Sequence, residues 1–438
     1  MKIGSQYENL VRFMLSFFVW ALVSAAWGFV WFYFYAETIL QPFYFRGDML
    51  VIAIYSLLLY FFSRFYGKYQ IGQRKMGDVI YSGILALFFC NAYAYTQTSL
   101  LYGWIAPPMP IIAMTLVQSL FIIVWGIVGG KFFSKVFSPR ELLMVYGGEL
   151  LAGSLQKKML HYKEKYAVHC AVDISEGLEK ITDMLKDYDG VILCDLPSEL
   201  RNDLLKTCFL RGKHTYTTPK IPDILLRGAS EMELFDTPLL HCTNSGFTMA
   251  QRFVKRLMDI FFALLGAIIA LPLFVLIVPA VKLCDLGPVL YKQQRLTKNG
   301  RVFWLYKFRS MVVDAEKLGG ARLADDDDKR VTPVGKVLRK LRLDELPQLW
   351  NILKGDMSIV GPRPERPEIA SEYQKAMPEF EYRLRVKAGL TGLAQTVGRY
   401  NTTAYDKLKM DLAYITNYSV RQDIKLIFMT VKIVLFGS

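Results

Sequence analysis

Residues 13–35, FMLSFFVWALVSAAWGFVWFYFY, carry no charge and, as a helix, are long enough to cross about 30 Å of hydrocarbon. Three more apolar runs follow near 49–62, 79–95 and 110–130. The run at 49–62 is short, so it reads either as a span or as a helix lying on a membrane surface. Cations occupy alternate connections. Arg64, Lys68, Arg74 and Lys75 lie between the second and third runs, and Lys131, Lys135 and Arg140 follow the fourth. The stretch 96–109 has no charge, and 37–48 has Glu37, Arg46 and Asp48. The cytoplasmic bias of Lys and Arg then predicts a four-helix transmembrane bundle over 1–136, with both ends in the cytoplasm. The first run is too long for a cleaved signal and lacks a cleavage site.

From Glu141 the period changes. LLMVYGG (142–148) and DGVILCDLP (189–197) read as buried strands, with helical patterns near 149–164 and 198–211. The expectation is a small α/β, Rossmann-like cytoplasmic domain over 137–245. Gly147-Gly148 with Gly153 makes only an imperfect GxGxxG turn, so no chemistry is assigned there.

A fifth apolar run, IFFALLGAIIALPLFVLIVPAV (260–281), is again long enough to span. Pro272 at its centre removes a helical hydrogen bond. Arg252, Lys255 and Arg256 precede the run, and Lys282, Lys292, Arg295 and Lys298 follow it. A crossing would put one basic cluster outside, so the pattern favours a helix–break–helix hairpin that dips in and returns. A Pro-kinked fifth span is the alternative.

Composition narrows the chemistry. Of 438 residues, 53% are hydrophobic, and the formal charge of +14 suits anionic lipid, nucleic acid or a phosphate-rich substrate. The six cysteines form no CxxC or CxxH, and read as reduced thiols. No histidine lies beyond His241, so later chemistry must use carboxylates, Lys, Arg, Ser, Thr or Tyr. GPVLYKQQRLTKNGRVFWLYKFRSM (287–311) interleaves cations, Lys307 and Arg309 among them, with aromatics, which suits phosphates and headgroups. No nucleic-acid-binding signature accompanies it. RKLRLDELPQLWNILKGD (339–356) reads as a helix with Pro347 in its first turn and Gly355 at its stop. Asp344 and Glu345 then lie at the helix N-terminus, where the macrodipole lowers carboxylate pKa values. They are either a cap and a first-turn charge or a phosphoryl-transfer pair: one carboxylate attacks phosphorus, the other holds a divalent metal, and Arg339 and Arg342 neutralise phosphate oxygens. GPRP (361–364) is a rigid turn presenting Arg363, and KAGLTGLAQTVGR (387–399) is a second glycine-punctuated loop, ending in Arg399. Asp325–Asp328 reads as a solvated loop, since four consecutive carboxylates cannot all face one ion. The basic, apolar tail around Ile424, Ile427, Phe428 and Val431 reads as either a membrane-surface helix or a core helix. A nucleotide-sugar dehydratase or epimerase would need an intact glycine loop and a Tyr-x-x-x-Lys pair. A scaffold protein would need neither the acidic pair nor the GPRP turn.

KRLMD (255–259), GPVLYKQQR (287–295), YKFRSM (306–311), LDELPQL (343–349), LKGDMSIVGPRP (353–364) and GLTGLAQ (389–395) together resemble the bacterial sugar transferase family, the monotopic phosphoglycosyl transferases, from about Arg252 onward. With the preceding bundle and α/β domain, the chain resembles the large polyprenyl-phosphate hexose-1-phosphate transferase branch. The resemblance implies a re-entrant-helix catalytic domain of mixed, mostly helical structure over 246–438, on the cytoplasmic face of a bacterial inner membrane. It aligns the family nucleophile with Asp344, the Mg²⁺-binding carboxylate with Glu345, and phosphate-contacting arginines with Arg339 and Arg363. Asp259, with Lys255, Arg256 and Pro272, aligns with the hairpin. It implies transfer of a hexose 1-phosphate from a UDP-hexose to polyprenyl (undecaprenyl) phosphate through an aspartyl phosphosugar, with UMP released, for surface-glycan synthesis, and a possible homodimer. Three departures stand out: Thr297 where glycine is usual, Ala388 where proline is common, and Leu271-Pro272 where Ser-Pro is frequent.

Overall fold

The computed structural model describes residues 7–72, 74–160, 165–242, 246–313, 330–398 and 402–436. Asp325–Asp328 and Arg399 lie outside the described residues. The chain forms two compact units, Met1–Thr218 and Pro219–Ser438. It is mostly helical, with some parallel sheet.

The first unit begins with α1 (Glu8–Val30), extended by a π turn at Trp31–Tyr35, then α2 (Arg46–Tyr66), α3 (Met76–Tyr102) and α4 (Met109–Val136). All four are long and apolar enough to cross a membrane. In hydrocarbon, helices gain little from burying apolar surface against one another, so packing and hydrogen bonds hold the bundle. One buried network links all four helices. Asn91 accepts from Tyr55 (2.7 Å) and donates to Thr115 (2.8 Å) and Gln118 (2.9 Å), while Gln118 donates to the Val23 carbonyl (3.0 Å). Two charges counted as loop charges are buried. Asp48 is buried in α2, accepting from Trp31 Nε1 at 2.8 Å. Lys68 is fully buried, with its ammonium 5.9 Å from the Trp125 ring centre, so it does not mark a headgroup layer.

The same unit continues through β1 (Arg140–Tyr146), α5 (Glu149–Met159), β2 (Tyr166–Asp173), α6 (Leu178–Met184), β3 (Gly190–Cys194), α7 (Ser198–Leu210) and β4 (His214–Thr217). The strands form a parallel sheet ordered β2-β1-β3-β4, with β3 and the Leu142–Val145 stretch of β1 buried. Their unbroken apolar runs made them legible; β2 and β4, with mixed burial, were not.

The second unit starts with α8 (Ile221–Arg227), whose Ile221 and Ile224 belong to its core, followed by the hairpin β5 (Ser230–Leu234) and β6 (Thr237–His241). Next comes α9 (Met249–Asp285), capped by Thr248 and Gln251. The expected break at Pro272 is absent: one helix runs through both Pro272 and Pro279. Neighbouring carbonyls tolerate a missing N–H when packing holds the helix, and here it packs on both sides of Pro272. Phe262, Ala263 and Ala267 join a core with Leu349, Ile352 and Met357. Phe274, Ile277 and Val281 join a second core with Phe308 and Leu338, and Leu346 contacts both.

Beyond α9 lie the hairpin β7 (Leu290–Leu296) and β8 (Val302–Phe308), then α10 (Pro333–Lys340), α11 (Gln348–Lys354), β9 (Ser358–Val360), α12 (Pro367–Ala376), β10 (Gly389–Thr391), α13 (Leu393–Val397), α14 (Ala404–Thr416) and α15 (Val420–Phe436). The expected single helix over 339–356 is therefore two helices, with a 3₁₀ turn at Leu343–Glu345 between them. The tail helix α15 docks on the core through Asp423 and Leu426, so one of its faces packs as a core helix would.

Candidate active site

The 3₁₀ turn places Asp344 and Glu345 side by side. Arg342, just before it, sits at φ 54°, a left-handed conformation costing a non-glycine residue about 1 kcal/mol. Asp344 is 9% exposed. Burial pushes its carboxyl above the ordinary aspartate range, with Lys307 and Arg339 opposing the shift and the Glu345 charge adding to it. Glu345 behaves oppositely. Burial would raise it, but the Lys307 ammonium at 2.9 Å and the Arg363 guanidinium at 3.3 Å, both on Oε1, hold it at about 2. The expectation that a helix terminus lowers both carboxylates is thus corrected. Only Glu345 is lowered, by side-chain cations, and α11 starts three residues later, at Gln348.

Three separate elements supply the cations. Lys307 comes from β8, Arg339 from the last turn of α10, where its Nε donates to Ser310 Oγ (2.9 Å), and Arg363 from the turn after β9. Arg309, expected with them, is buried against Gly287: a Cβ on that glycine would lie 2.0 Å from Arg309 Nη1.

The GPRP and GLTG segments meet backbone to backbone. β9 and β10 pair in parallel, Ser358 with Gly389 and Val360 with Thr391. A Cβ on Gly389 would lie 2.1 Å from Gly361 N, and one on Gly392 would lie 2.2 Å from Gly361 O. Only glycine permits that approach. Behind the turn, Arg383 donates to the Arg363 carbonyl (2.9 Å) and pairs with buried Asp411 (2.8 Å), orienting the arginine. Sequence reasoning missed Arg383, since its partners are distant in the chain. Thr297 and Ala388 belong together. Thr297 Oγ1 accepts from the Ala388 N–H (3.2 Å) and donates to the Asp356 carbonyl (2.8 Å).

The KRLMD stretch anchors α9 to this site. Arg256 donates to the Ile352 and Leu353 carbonyls, both at 2.7 Å, closing the C-terminal end of α11. Lys255 pairs with buried Asp423 at 2.7 Å. Asp259 accepts from Ser358 Oγ (2.8 Å) and the Ile359 N–H (2.9 Å). Pro272 lies farther along α9.

Among the described residues, no group of three or more His, Cys, Asp or Glu could hold a metal. Two adjacent carboxylates nonetheless fit Mg²⁺, which takes one or two protein carboxylates when substrate phosphates and water complete its octahedron. Lys307 and Arg363 bond Oε1 of Glu345, which leaves Oε2 for such an ion.

The sequence profile described as "Bacterial sugar transferase" matches residues 250–437, the stretch that builds this site. A UDP-N-acetylgalactosamine-undecaprenyl-phosphate N-acetylgalactosaminephosphotransferase of Aeromonas hydrophila is 45% identical over 42% of this chain and 44% of its own length. An undecaprenyl-phosphate galactose phosphotransferase of Salmonella typhimurium is 39% identical over 45% of this chain and 44% of its own. The chain thus spans less than half the length of these two relatives. The exopolysaccharide production protein PSS of Rhizobium leguminosarum is 38% identical over 41% of this chain and 93% of its own length. With nearly the whole of that relative matched, and the family profile covering the segment that carries Asp344, Glu345 and Arg363, the chain belongs to the bacterial sugar transferase family.

Proposed function

We propose that the protein is a phosphoglycosyl transferase that moves a hexose 1-phosphate from a UDP-sugar to undecaprenyl phosphate, as a first membrane step of surface-glycan synthesis. The observation that carries this reading is the pairing of neighbouring carboxylates, Asp344 buried and Glu345 bound by the Lys307 ammonium at 2.9 Å and the Arg363 guanidinium at 3.3 Å. An Asp344 oxygen attacks the β-phosphorus of the donor, the bond from phosphorus to the bridging oxygen breaks, and UMP leaves. Burial strips water from the Asp344 carboxylate, which makes it a better nucleophile once ionised. Lys307, Arg339 and Arg363 face the phosphate oxygens, and their charges offset the negative charge that builds there. In the second half, a phosphate oxygen of the acceptor attacks the same phosphorus and Asp344 leaves as carboxylate. Glu345, through Oε2, would hold Mg²⁺, which when bound would neutralise diphosphate charge.

The proposed seat is the inner membrane with the second unit on the cytoplasmic face. Both halves of α9 pack on that unit, which supports a helix dipping into one leaflet rather than crossing. Its outer face is largely uncovered: 17% of its most apolar window is buried, against at least 33% in each of the other four apolar helices.

A screen of UMP release across UDP-hexoses and UDP-N-acetylhexosamines, with membrane protein and undecaprenyl phosphate, tests the reading. One donor is expected to be turned over, and Asp344→Asn to lower its turnover by about 10⁴-fold or more. Undiminished release by that variant would refute the assigned nucleophile.

A further inference from the structure

The turn that carries the two carboxylates also forms a wall of a groove of about 180 Å³. Leu343, Leu346 and Leu349 line that wall, and Leu390, Ile433 and Val434 line the rest. The threonines in the groove have their hydroxyls engaged inside the protein. Thr391 and Thr430 share a hydrogen bond of 2.5 Å, and Thr396 bonds the Gly392 and Leu393 carbonyls. Gln395 Oε1 is buried with no donor among the described residues. It is already removed from water, so a hydrocarbon occupant adds no penalty there.

Arg342 and Glu345 also line this groove, so it runs directly into the carboxylate site. Arg342 lines that end of the groove, and Glu345 beside it is bound by Lys307 at 2.9 Å and Arg363 at 3.3 Å, so cations outnumber the carboxylate there. A ligand matching both parts has a phosphate at one end and hydrocarbon behind it. The nucleotide sugar does not match, because its uridine and hexose hydroxyls would be desolvated against leucines without partners.

We propose that this groove seats the first isoprene units of the polyprenyl phosphate acceptor, phosphate toward Arg342, with Ile433 and Val434 of the tail helix fixing the chain. The proposal rests on the transfer reading above, and the two can fail separately.

The test uses the full-length protein with Ile433→Trp and Val434→Trp, made singly, and the milder Ile433→Ala and Val434→Ala in case crowding prevents folding. The first readout is exchange of labelled UMP into the UDP-sugar without acceptor, which needs only the donor half-reaction. The second is KM for undecaprenyl phosphate in the complete reaction. Exchange is expected within about twofold of the parent in all four, while KM rises about tenfold with tryptophan and about threefold with alanine. Normal exchange with unchanged KM overturns the groove assignment, as would follow if a bilayer acyl chain filled it. Loss of exchange in the alanine variants overturns it too, since the groove would then serve the donor. Absence of exchange in the parent protein instead refutes the transfer reading.

Discussion

Asp344 and Glu345 are chain neighbours whose pKa values shift in opposite directions, Asp344 upward by burial and Glu345 downward beside Lys307 and Arg363, and the proposed mechanism turns this difference into a pH dependence. In the proposed mechanism attack requires ionised Asp344, so UMP release is expected to rise with pH as that carboxyl loses its proton. Because burial raises its pKa, the midpoint of that limb lies above the ordinary aspartate value of about 3.9. Glu345, held at about 2, is ionised across the whole range and adds no second limb. A profile of kcat/KM for UMP release that stays flat down to about pH 4 would contradict this assignment. The acidic pair itself was legible in the sequence. The low pKa of Glu345 was not, because it depends on Lys307 and Arg363, which lie 38 and 18 residues from Glu345. Thr297 and Ala388 teach the same lesson. Each taken alone is a departure that weakens a loop; together they form one hydrogen bond between segments 91 residues apart. A proline at 388 has no N–H, and a glycine at 297 has no hydroxyl. Ala388→Pro is therefore expected to cost about 1 kcal/mol in the parent and less in a Thr297→Gly background. Equal costs in a double-mutant cycle read by thermal unfolding would contradict the coupling.

At the level of elements, the apolar run at 260–281 was plain in the sequence, and its basic flanks were counted as topology signals. The structure gives the first flank a different duty. Lys255 and Arg256 bond inside the second unit, to Asp423 and to the end of α11, and so tie the entry of α9 to the site. Pro272 was expected to break the helix, but packing of both flanking halves against one body keeps it continuous. Sequence pattern registers a missing N–H, not the tertiary contacts that compensate for it. Breaking a buried ion pair costs about 3–5 kcal/mol, so Lys255→Met is expected to lower the unfolding temperature in detergent far more than Lys282→Met. Among the described residues, Lys282 bonds only exposed carbonyls, those of Leu286 and Gly287. Equal shifts for the two variants would show that Lys255 is not an anchor.

At the scale of the molecule, five long apolar helices were visible as runs of uncharged residues, and the structure has helices at all five. Their topology is harder to read from charge alone, since buried Lys68 and internally bonded Lys255 and Arg256 all enter a cation count without facing lipid headgroups. Packing supplies the stronger constraint. A helix held at both halves by one folded body does not carry that body's two ends to opposite sides of a membrane. A sidedness reporter fused after Ser438 and another inserted in the exposed turn at Asp236 should therefore report the same compartment, the cytoplasm; opposite compartments would refute the dipping helix.

The central claim is that the phosphosugar passes through Asp344, and the most direct measurement is the mass of the protein after incubation with its UDP-sugar in the absence of acceptor. The account predicts a gain of one hexose 1-phosphate, located on the peptide containing Asp344, discharged by undecaprenyl phosphate and absent in Asp344→Asn. Turnover with no adduct under any donor concentration, or an adduct on another residue, would contradict it.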